Sequence, residues 1–164
     1  MIKKSFLTGD YVIFSPERIK RPQFIHKQEN KCPFCLENKD MIEDCLYETF
    51  NEEIRIISNK YPIVKQDENF FGIHQVIIDT KEHNKKMQDF SDEHMFYLMK
   101  AIKESFEKFY EEKRIRYVQF FKNQGKSAGA SQAHSHWQIL GVPVLPEKQQ
   151  KILQSFKKYK EEIG

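Results

Sequence analysis

The sequence has no long apolar run, few cysteines and no large excess of charge of either sign. No apolar stretch approaches the roughly 20 residues that a membrane-spanning helix needs, so we expect no membrane partner. The first residues include two lysines but no continuous apolar segment and no small-residue cleavage site, which argues against a signal peptide. Three cysteines are too few for a disulfide framework and favour a reducing compartment, so we expect a cytoplasmic protein.

The charges are nearly balanced, with 27 lysines and arginines against 24 acidic residues and a net charge of +3. Lysines and glutamates interleave along the chain, which is typical of a solvated surface. No concentrated basic stripe is present, so we expect no nucleic-acid partner. The mild positive charge would suit a nucleotide ligand without predicting one.

The length of 164 residues and the 39% hydrophobic content indicate a single domain over residues 1–164 with a real core. We predict an α+β fold whose sheet has about five mostly antiparallel strands. Ser91 is predicted to cap a long helix to about residue 113, because apolar residues recur there every three or four positions. A final amphipathic helix begins at Pro146. The predicted strands are residues 11–14, 54–57, 74–79, 117–121 and 133–142.

Residues 123–139, NQGKSAGASQAHSHWQI, are the most informative segment. A loop of small residues leads into a predicted strand, on which His134, His136 and Gln138 would share one face because side chains alternate. Backbone N–H groups beside two imidazoles suit a phosphate site in which one histidine is nucleophile or acid. Two histidines at this spacing are also common as ordinary polar residues of a half-exposed strand. The loop and Gln138 favour the functional interpretation.

Cys32-Pro33-Phe34-Cys35 has the spacing of a zinc knuckle but supplies only two of the four ligands of a structural zinc. The pair could instead be redox-active or simply two buried thiols. A redox pair normally opens a helix after a strand in a thioredoxin-like unit, and that context is missing here. Cys45 has no evident partner and is interpreted as a buried or incidental thiol.

The segment beginning at Asn123 resembles the active-site signature of galactose-1-phosphate uridylyltransferases, which belong to the histidine-triad (HIT-like) superfamily. The chain has Ser135 where that family usually has proline. The resemblance covers residues 15–144 but only the N-terminal half of those enzymes, which are about twice as long. It implies a HIT-like sheet with one long helix. Seven positions agree without a gap: Asn123, Gly125, Gly129, Ser131, His134, His136 and Gln138.

The resemblance also implies a structural zinc site. Family members that bind zinc carry a histidine just after the strand that corresponds to residues 74–79, and here that residue is His83. The first histidine of the His-x-His pair, His134, completes the set. The implied site is a closed Cys₂His₂ tetrahedron of Cys32, Cys35, His83 and His134.

With His134 bound to metal, the resemblance implies that His136 is the nucleophile. A neutral imidazole at pH 7 can attack an α-phosphate and form a nucleotidyl-histidine, from which a phosphate acceptor takes the nucleotide. Gln138 would donate to a nonbridging oxygen as charge builds. Three residues of the loop would wrap the α- and β-phosphates: Gly129, Ala130 and Ser131.

Other matches to the family lie outside this segment. Ser15-Pro16-x-Arg18-x-x-Arg21-Pro22 is similar to an N-terminal element near the nucleotide, where arginines meet phosphate oxygens. A solvated basic loop is the alternative interpretation. Asn59 falls where the family has an Asn-Asp pair at the ribose, but Lys60 replaces the aspartate. This departure leaves room for adenosine as well as uridine. His74 remains open between a core and a surface position.

The resemblance therefore implies a nucleotidyltransferase that acts on a nucleotide sugar and a sugar phosphate. Gln138 replaces the third histidine of the histidine-triad hydrolases and goes with transfer or phosphorolysis in the superfamily. The alternatives are a zinc-stabilised nucleotide-binding module and a HIT-like hydrolase or phosphorylase. The chain would be a fragment, a minimal enzyme that forms a homodimer, or a non-catalytic relic.

Overall fold

The chain begins with a small sheet that stands apart from the main one. The computed structural model describes residues 2–20, 31–42, 44–49, 51, 53–66, 70–125 and 127–164. Strands β1 (Ile2–Lys4) and β2 (Tyr11–Ile13) pair antiparallel, and a 3₁₀ helix (Pro16–Lys20) follows them. The strand predicted at residues 11–14 thus exists, but it belongs to this small sheet.

The main sheet has five antiparallel strands, which confirms the predicted α+β fold and the strand count. Its spatial order is β3 (Cys45–Glu48), β4 (Arg55–Ser58), β5 (Ile73–Ile78), β7 (His136–Val142) and β6 (Tyr117–Phe121). The edge strand β3 was not predicted. The prediction that the last strand begins at residue 133 was wrong, since β7 begins at His136.

Helix α1 (Asp92–Glu111) connects β5 to β6 and covers one face of the sheet. The predicted cap is confirmed: the Ser91 hydroxyl accepts a hydrogen bond from the His94 N–H at 3.2 Å. The apolar stripe of the helix packs on the inner strands and forms the larger core. Burial of each such leucine, isoleucine or phenylalanine contributes roughly 1.5–3 kcal/mol. Fully or nearly fully buried members of this core are Ile77, Leu98, Phe109 and Ile139.

The opposite face of the sheet carries a smaller apolar cluster, and strands β5 and β7 contribute three buried polar side chains to this face. Phe34, Ile57, Val76 and Ile78 form the cluster. In the β5–β7 register Ile78 lies opposite His136, and Val76 lies opposite Gln138. The third polar residue, His74, is also buried. This polar face positions the candidate site.

Helix α2 (Glu147–Ile163) ends the chain, as predicted from Pro146 onward. None of its residues is buried. Ile152, Phe156, Tyr159 and Ile163 are all exposed, and their spacing of four, three and four residues forms one apolar stripe. Within the part of the chain that the structure describes, no helix combines the length and the apolar character that crossing a membrane requires.

Candidate active site and metal centre

The His-x-His pair lies at the start of β7, beneath the Cys32–Cys35 knuckle. His136 and Gln138 are both buried and share one strand face, as predicted. His134 precedes the strand and is also fully buried. The Phe34 ring contacts both imidazoles edge-on, with ring centroids 6.1 Å from that of His134 and 5.2 Å from that of His136. The knuckle thus covers the pair directly.

Four side chains predicted as metal ligands converge in one cluster: Cys32, Cys35, His83 and His134, with ligand atoms all within 4.8 Å of one another. The His134 Nδ1 lies 3.7 Å from the Cys32 Sγ and 3.6 Å from the Cys35 Sγ. The His83 Nδ1 lies 3.4 Å from the Cys35 Sγ. Bond lengths of about 2.3 Å to sulfur and 2.0–2.1 Å to nitrogen imply an S–N separation of about 3.6 Å around tetrahedral zinc. The cluster therefore fits such a metal ion.

Hydrogen bonding and burial also set the orientation and protonation of two of these candidate ligands, His134 and Cys35. The His134 Nε2–H donates to the Thr80 carbonyl at 2.7 Å, which directs the Nδ1 lone pair toward the thiols. Burial lowers the pKa of His134 to about 4, so this imidazole is neutral at pH 7. Burial, with the neighbouring Cys32 as the second cause, raises the pKa of Cys35 to about 12. A bound divalent cation is what would stabilise the thiolate form.

The knuckle is tied to the sheet by a buried arginine that was not selected from its sequence context. Arg55 of β4 is 1% exposed, and its guanidinium donates to the Phe34 carbonyl. Within the knuckle, the Phe34 N–H points to the Cys32 Sγ at 3.4 Å, and the Asn38 amide donates to the Cys32 carbonyl at 2.9 Å. These contacts hold the first two candidate ligands in place over β4.

One hydrogen bond defines the chemical state of His136. Its Nδ1 lies 2.8 Å from the His134 carbonyl oxygen, which can only accept, so the proton sits on Nδ1. In the neutral ring the lone pair then resides on Nε2. That is the tautomer a nucleophilic imidazole needs, with one nitrogen oriented by the backbone and the other able to attack.

A buried ionic network lies on the other side of this strand start. The Oδ2 of the fully buried Asp79 accepts from the Lys122 Nζ at 2.5 Å, the Ser135 hydroxyl at 3.0 Å and the Trp137 Nε1 at 2.8 Å. Trp137 also stacks on Phe120 with ring centroids 4.6 Å apart. The tryptophan therefore packs away from His136, and the network fixes the residues on either side of that histidine.

The small-residue loop borders a pocket of about 350 Å³ that includes Asn123, Gly125 and His136. Gly125 and Gly129 have φ of 78° and 73°, a region that other residues rarely adopt. The Ser131 hydroxyl is buried and has no hydrogen-bond partner among the described residues. The Ala130 N–H donates to the Gly125 carbonyl at 3.2 Å, so in this state it closes the loop.

The predicted nucleotide-binding residues outside the loop lie in two connected segments. Arg18 is half-buried in the first 3₁₀ helix, and Arg21 falls outside the described residues. The Ser15 hydroxyl donates to the Pro62 carbonyl at 3.3 Å, which ties this element to the segment after Asn59. The Asn59 side chain accepts from the Tyr61 N–H at 2.9 Å.

His74 links Asn59 to Gln138, a connection that the sequence did not indicate. Its Nδ1 accepts from the Ile63 N–H at 3.0 Å. Its Nε2 lies 3.1 Å from the Gln138 Oε1 and 3.2 Å from the Asn59 Nδ2. The sequence alone did not distinguish a core position for His74 from a surface one.

The fold and the site define a histidine-triad-like domain of the galactose-1-phosphate uridylyltransferase type, which confirms the resemblance. A family model described as "Domain of unknown function (DUF4931) N-terminal domain" matches residues 15–145. The chain belongs to this family.

Curated relatives share about a quarter to a third of the residues of this chain. ADP-glucose phosphorylase of Arabidopsis thaliana is 31% identical over 99% of this chain and 54% of its own length. The crystal structure of an ADP-glucose phosphorylase from Arabidopsis thaliana with bound ADP-glucose superposes with a TM-score of 0.75, at 32% identity, over all of this chain and 55% of that one. Galactose-1-phosphate uridylyltransferase of Thermotoga maritima is 26% identical over 95% of this chain and 51% of its own.

A histidine triad nucleotide-binding protein from Candida albicans shares the fold, with a TM-score of 0.51 and 20% identity over 81% of this chain and 97% of that one. The chain spans about half the length of the curated relatives it matches.

Proposed function

We propose that the chain provides the nucleotidyl-transferring centre of an enzyme that acts on a nucleoside diphosphate sugar, with His136 as the nucleophile. The observation that carries this proposal is the bond from the His136 Nδ1–H to the His134 carbonyl, which leaves the lone pair on Nε2. Gln138 on the same strand face and the loop from Asn123 to Ser131 supply donors for the phosphates.

The proposed reaction has two displacements. The His136 Nε2 attacks the α-phosphorus of the nucleotide sugar, and the bond from that phosphorus to the sugar-phosphate oxygen breaks, so sugar 1-phosphate leaves. An oxygen of a phosphate acceptor then attacks the same phosphorus and releases His136. Kinetics of the ping-pong type follow from the shared covalent intermediate.

Each remaining residue has a proposed role in this cycle. Gln138 donates an amide N–H to a nonbridging oxygen when charge builds in the transition state. The buried Ser131 hydroxyl, which lacks a partner among the described residues, supports a phosphate contact for Ser131. Gly129 and Ala130 would add backbone N–H groups, with the Ala130 N–H exchanging its loop bond for the substrate. The proposed contacts to phosphate and ribose come from Arg18, Arg21, Asn59 and Asn123.

We propose zinc as the ion for Cys32, Cys35, His83 and His134. The donor set, the S–N distances and the Thr80 bond to His134 support this choice. Two cysteines and two histidines form a closed set, so the ion would supply structural stability when bound. The paired thiols suit a reducing compartment, which supports a cytoplasmic location.

Phosphorolysis of ADP-glucose is the favoured form of the reaction, with inorganic phosphate as acceptor. The 31% identity to an ADP-glucose phosphorylase supports it, and so does Lys60, which stands where the uridylyltransferases have an aspartate. Uridylyl transfer between hexose 1-phosphates is the second candidate, supported by the 26% identity to a galactose-1-phosphate uridylyltransferase.

Product analysis distinguishes these candidates. Purified protein is incubated with ADP-glucose or UDP-glucose, and with phosphate or galactose 1-phosphate, and the nucleotide products are separated. We expect ADP from ADP-glucose plus phosphate, and no product from His136→Asn. His94→Gln is the matched control, because it replaces a buried histidine outside the pocket and keeps a donor toward the Asp79 carbonyl. Equal turnover by His136→Asn and the parent would contradict the proposal.

A further inference from the structure

We infer that His74 is a positioning residue that sets which end of the Gln138 carboxamide meets the substrate phosphate. The two residues lie on neighbouring strands: in the β5–β7 register His74 is opposite Leu140, so Gln138 is its diagonal neighbour. Both side chains are buried, at 5% and 4% exposure. The inference rests on the proposed function, in which Gln138 donates to the phosphate.

The surrounding hydrogen bonds fix the tautomer of His74. A backbone N–H can only donate, so the Nδ1 that receives the Ile63 N–H at 3.0 Å carries the lone pair. The neutral ring therefore bears its proton on Nε2. Two polar atoms lie near that proton: the Gln138 Oε1 at 3.1 Å and the Asn59 Nδ2 at 3.2 Å.

Only one of these two atoms can accept the proton. The Asn59 Oδ1 already accepts from the Tyr61 N–H at 2.9 Å, which fixes Nδ2 as the donor end of that amide. The His74 Nε2–H therefore donates to the Gln138 Oε1. The Gln138 oxygen therefore accepts a hydrogen bond from His74, and the NH₂ group of Gln138 lies on the other side of the amide.

This orientation decides the sign of the charge that Gln138 presents. An amide that turned over would offer its oxygen to an anionic phosphate and would repel it. Because Gln138 follows His136 by two positions on the same strand face, the group so oriented is next to the nucleophile. The Asn59 NH₂ group also lies near this imidazole, but as a donor it receives no hydrogen bond from His74, so the histidine acts on Gln138.

The test compares His74→Leu with His74→Gln, each alone and combined with Gln138→Ala. Leucine keeps the site apolar and filled but cannot donate, whereas glutamine can place an amide N–H near the position of Nε2. For His74→Leu we expect kcat to fall on the order of tenfold to a hundredfold, with KM for ADP-glucose changed less than about twofold. His74→Gln should recover most of the loss.

In the Gln138→Ala background, His74→Leu should have almost no further effect, because no carboxamide remains to orient. Fully additive losses, or a loss confined to KM and melting temperature, would overturn the inference in favour of a purely structural histidine. Long-range ¹H–¹⁵N NMR of the parent protein tests the tautomer without any turnover and does not depend on how His74→Leu folds. A proton on Nδ1, or a charged ring, would overturn the inference even in an active enzyme. If the parent transfers no nucleotide, the proposed function fails, while the NMR result still decides the state of His74.

Discussion

At the scale of single residues, backbone carbonyls assign the two histidines of the His-x-His pair to different tasks. The Thr80 carbonyl accepts a hydrogen bond from the Nε2–H of His134, and the His134 carbonyl accepts one from the Nδ1–H of His136. His134 therefore turns Nδ1 toward the cysteines, whereas His136 keeps its lone pair on Nε2. Opposite tautomers two positions apart separate the proposed metal ligand from the proposed nucleophile.

The cysteines permit a test of the metal site with an internal control. Protein purified without chelator should contain about one zinc per chain, as a closed four-ligand site implies. Cys32→Ser should lose most of the zinc and lower the melting temperature by several degrees, because the knuckle would lose its link to His134. Cys45→Ser is the control, since Cys45 is exposed and outside the cluster. Unchanged zinc and melting temperature in Cys32→Ser would rule out this ligand set.

At the scale of elements, the sequence predicted the helices and strands in which buried apolar residues recur at regular spacing. Helix α1 and strands β5, β6 and β7 bury apolar residues at regular spacing, so their positions were predicted to within a few residues. The edge strand β3 was missed because none of its four residues is buried, which leaves no alternation to detect. Strand β7 is shorter than predicted, since the chain bends at residues 133 and 134 and the strand begins only at His136.

The fit of α1 against β7 depends on a glycine. A Cβ at Gly141 would lie 2.5 Å from the Phe109 Cδ1, in the core between helix and sheet. We expect Gly141→Ala to lower the free energy of unfolding by about 1–3 kcal/mol through overpacking. Urea denaturation measures this free energy. Lys100→Ala, at an exposed position of α1, is the control and should stay within about 0.5 kcal/mol of the parent. A Gly141→Ala protein as stable as the parent would show that the helix can move outward at little cost.

At the scale of the whole molecule, the site residues that could not be predicted from the sequence alone are mostly buried polar residues. Cys32 and Cys35 were visible from their spacing, but His83 and His134 entered the metal set only through the family resemblance. Arg55, His74 and Asp79 have no distinctive spacing, and their importance comes from contacts between distant segments. Pattern analysis finds residues that repeat, whereas these three act through tertiary contacts.

We propose that the chain forms a homodimer. The exposed apolar stripe of α2 is a suitable contact surface. Sizing chromatography with light scattering should give twice the 19.7 kDa of one chain. Phe156→Glu should convert this species to the monomer if α2 forms the contact. A parent protein that is monomeric at all concentrations would contradict the homodimer.

The covalent intermediate is the most direct test of the account. Purified protein is mixed with ADP-glucose in the absence of phosphate, quenched in alkali to preserve an acid-labile phosphorus–nitrogen bond, and analysed by intact-mass and peptide mass spectrometry. The account predicts one adenylyl group per chain, located on His136, which disappears when phosphate is added and never forms in His136→Asn. Turnover of ADP-glucose without an adduct, or an adduct on any other residue, would contradict it.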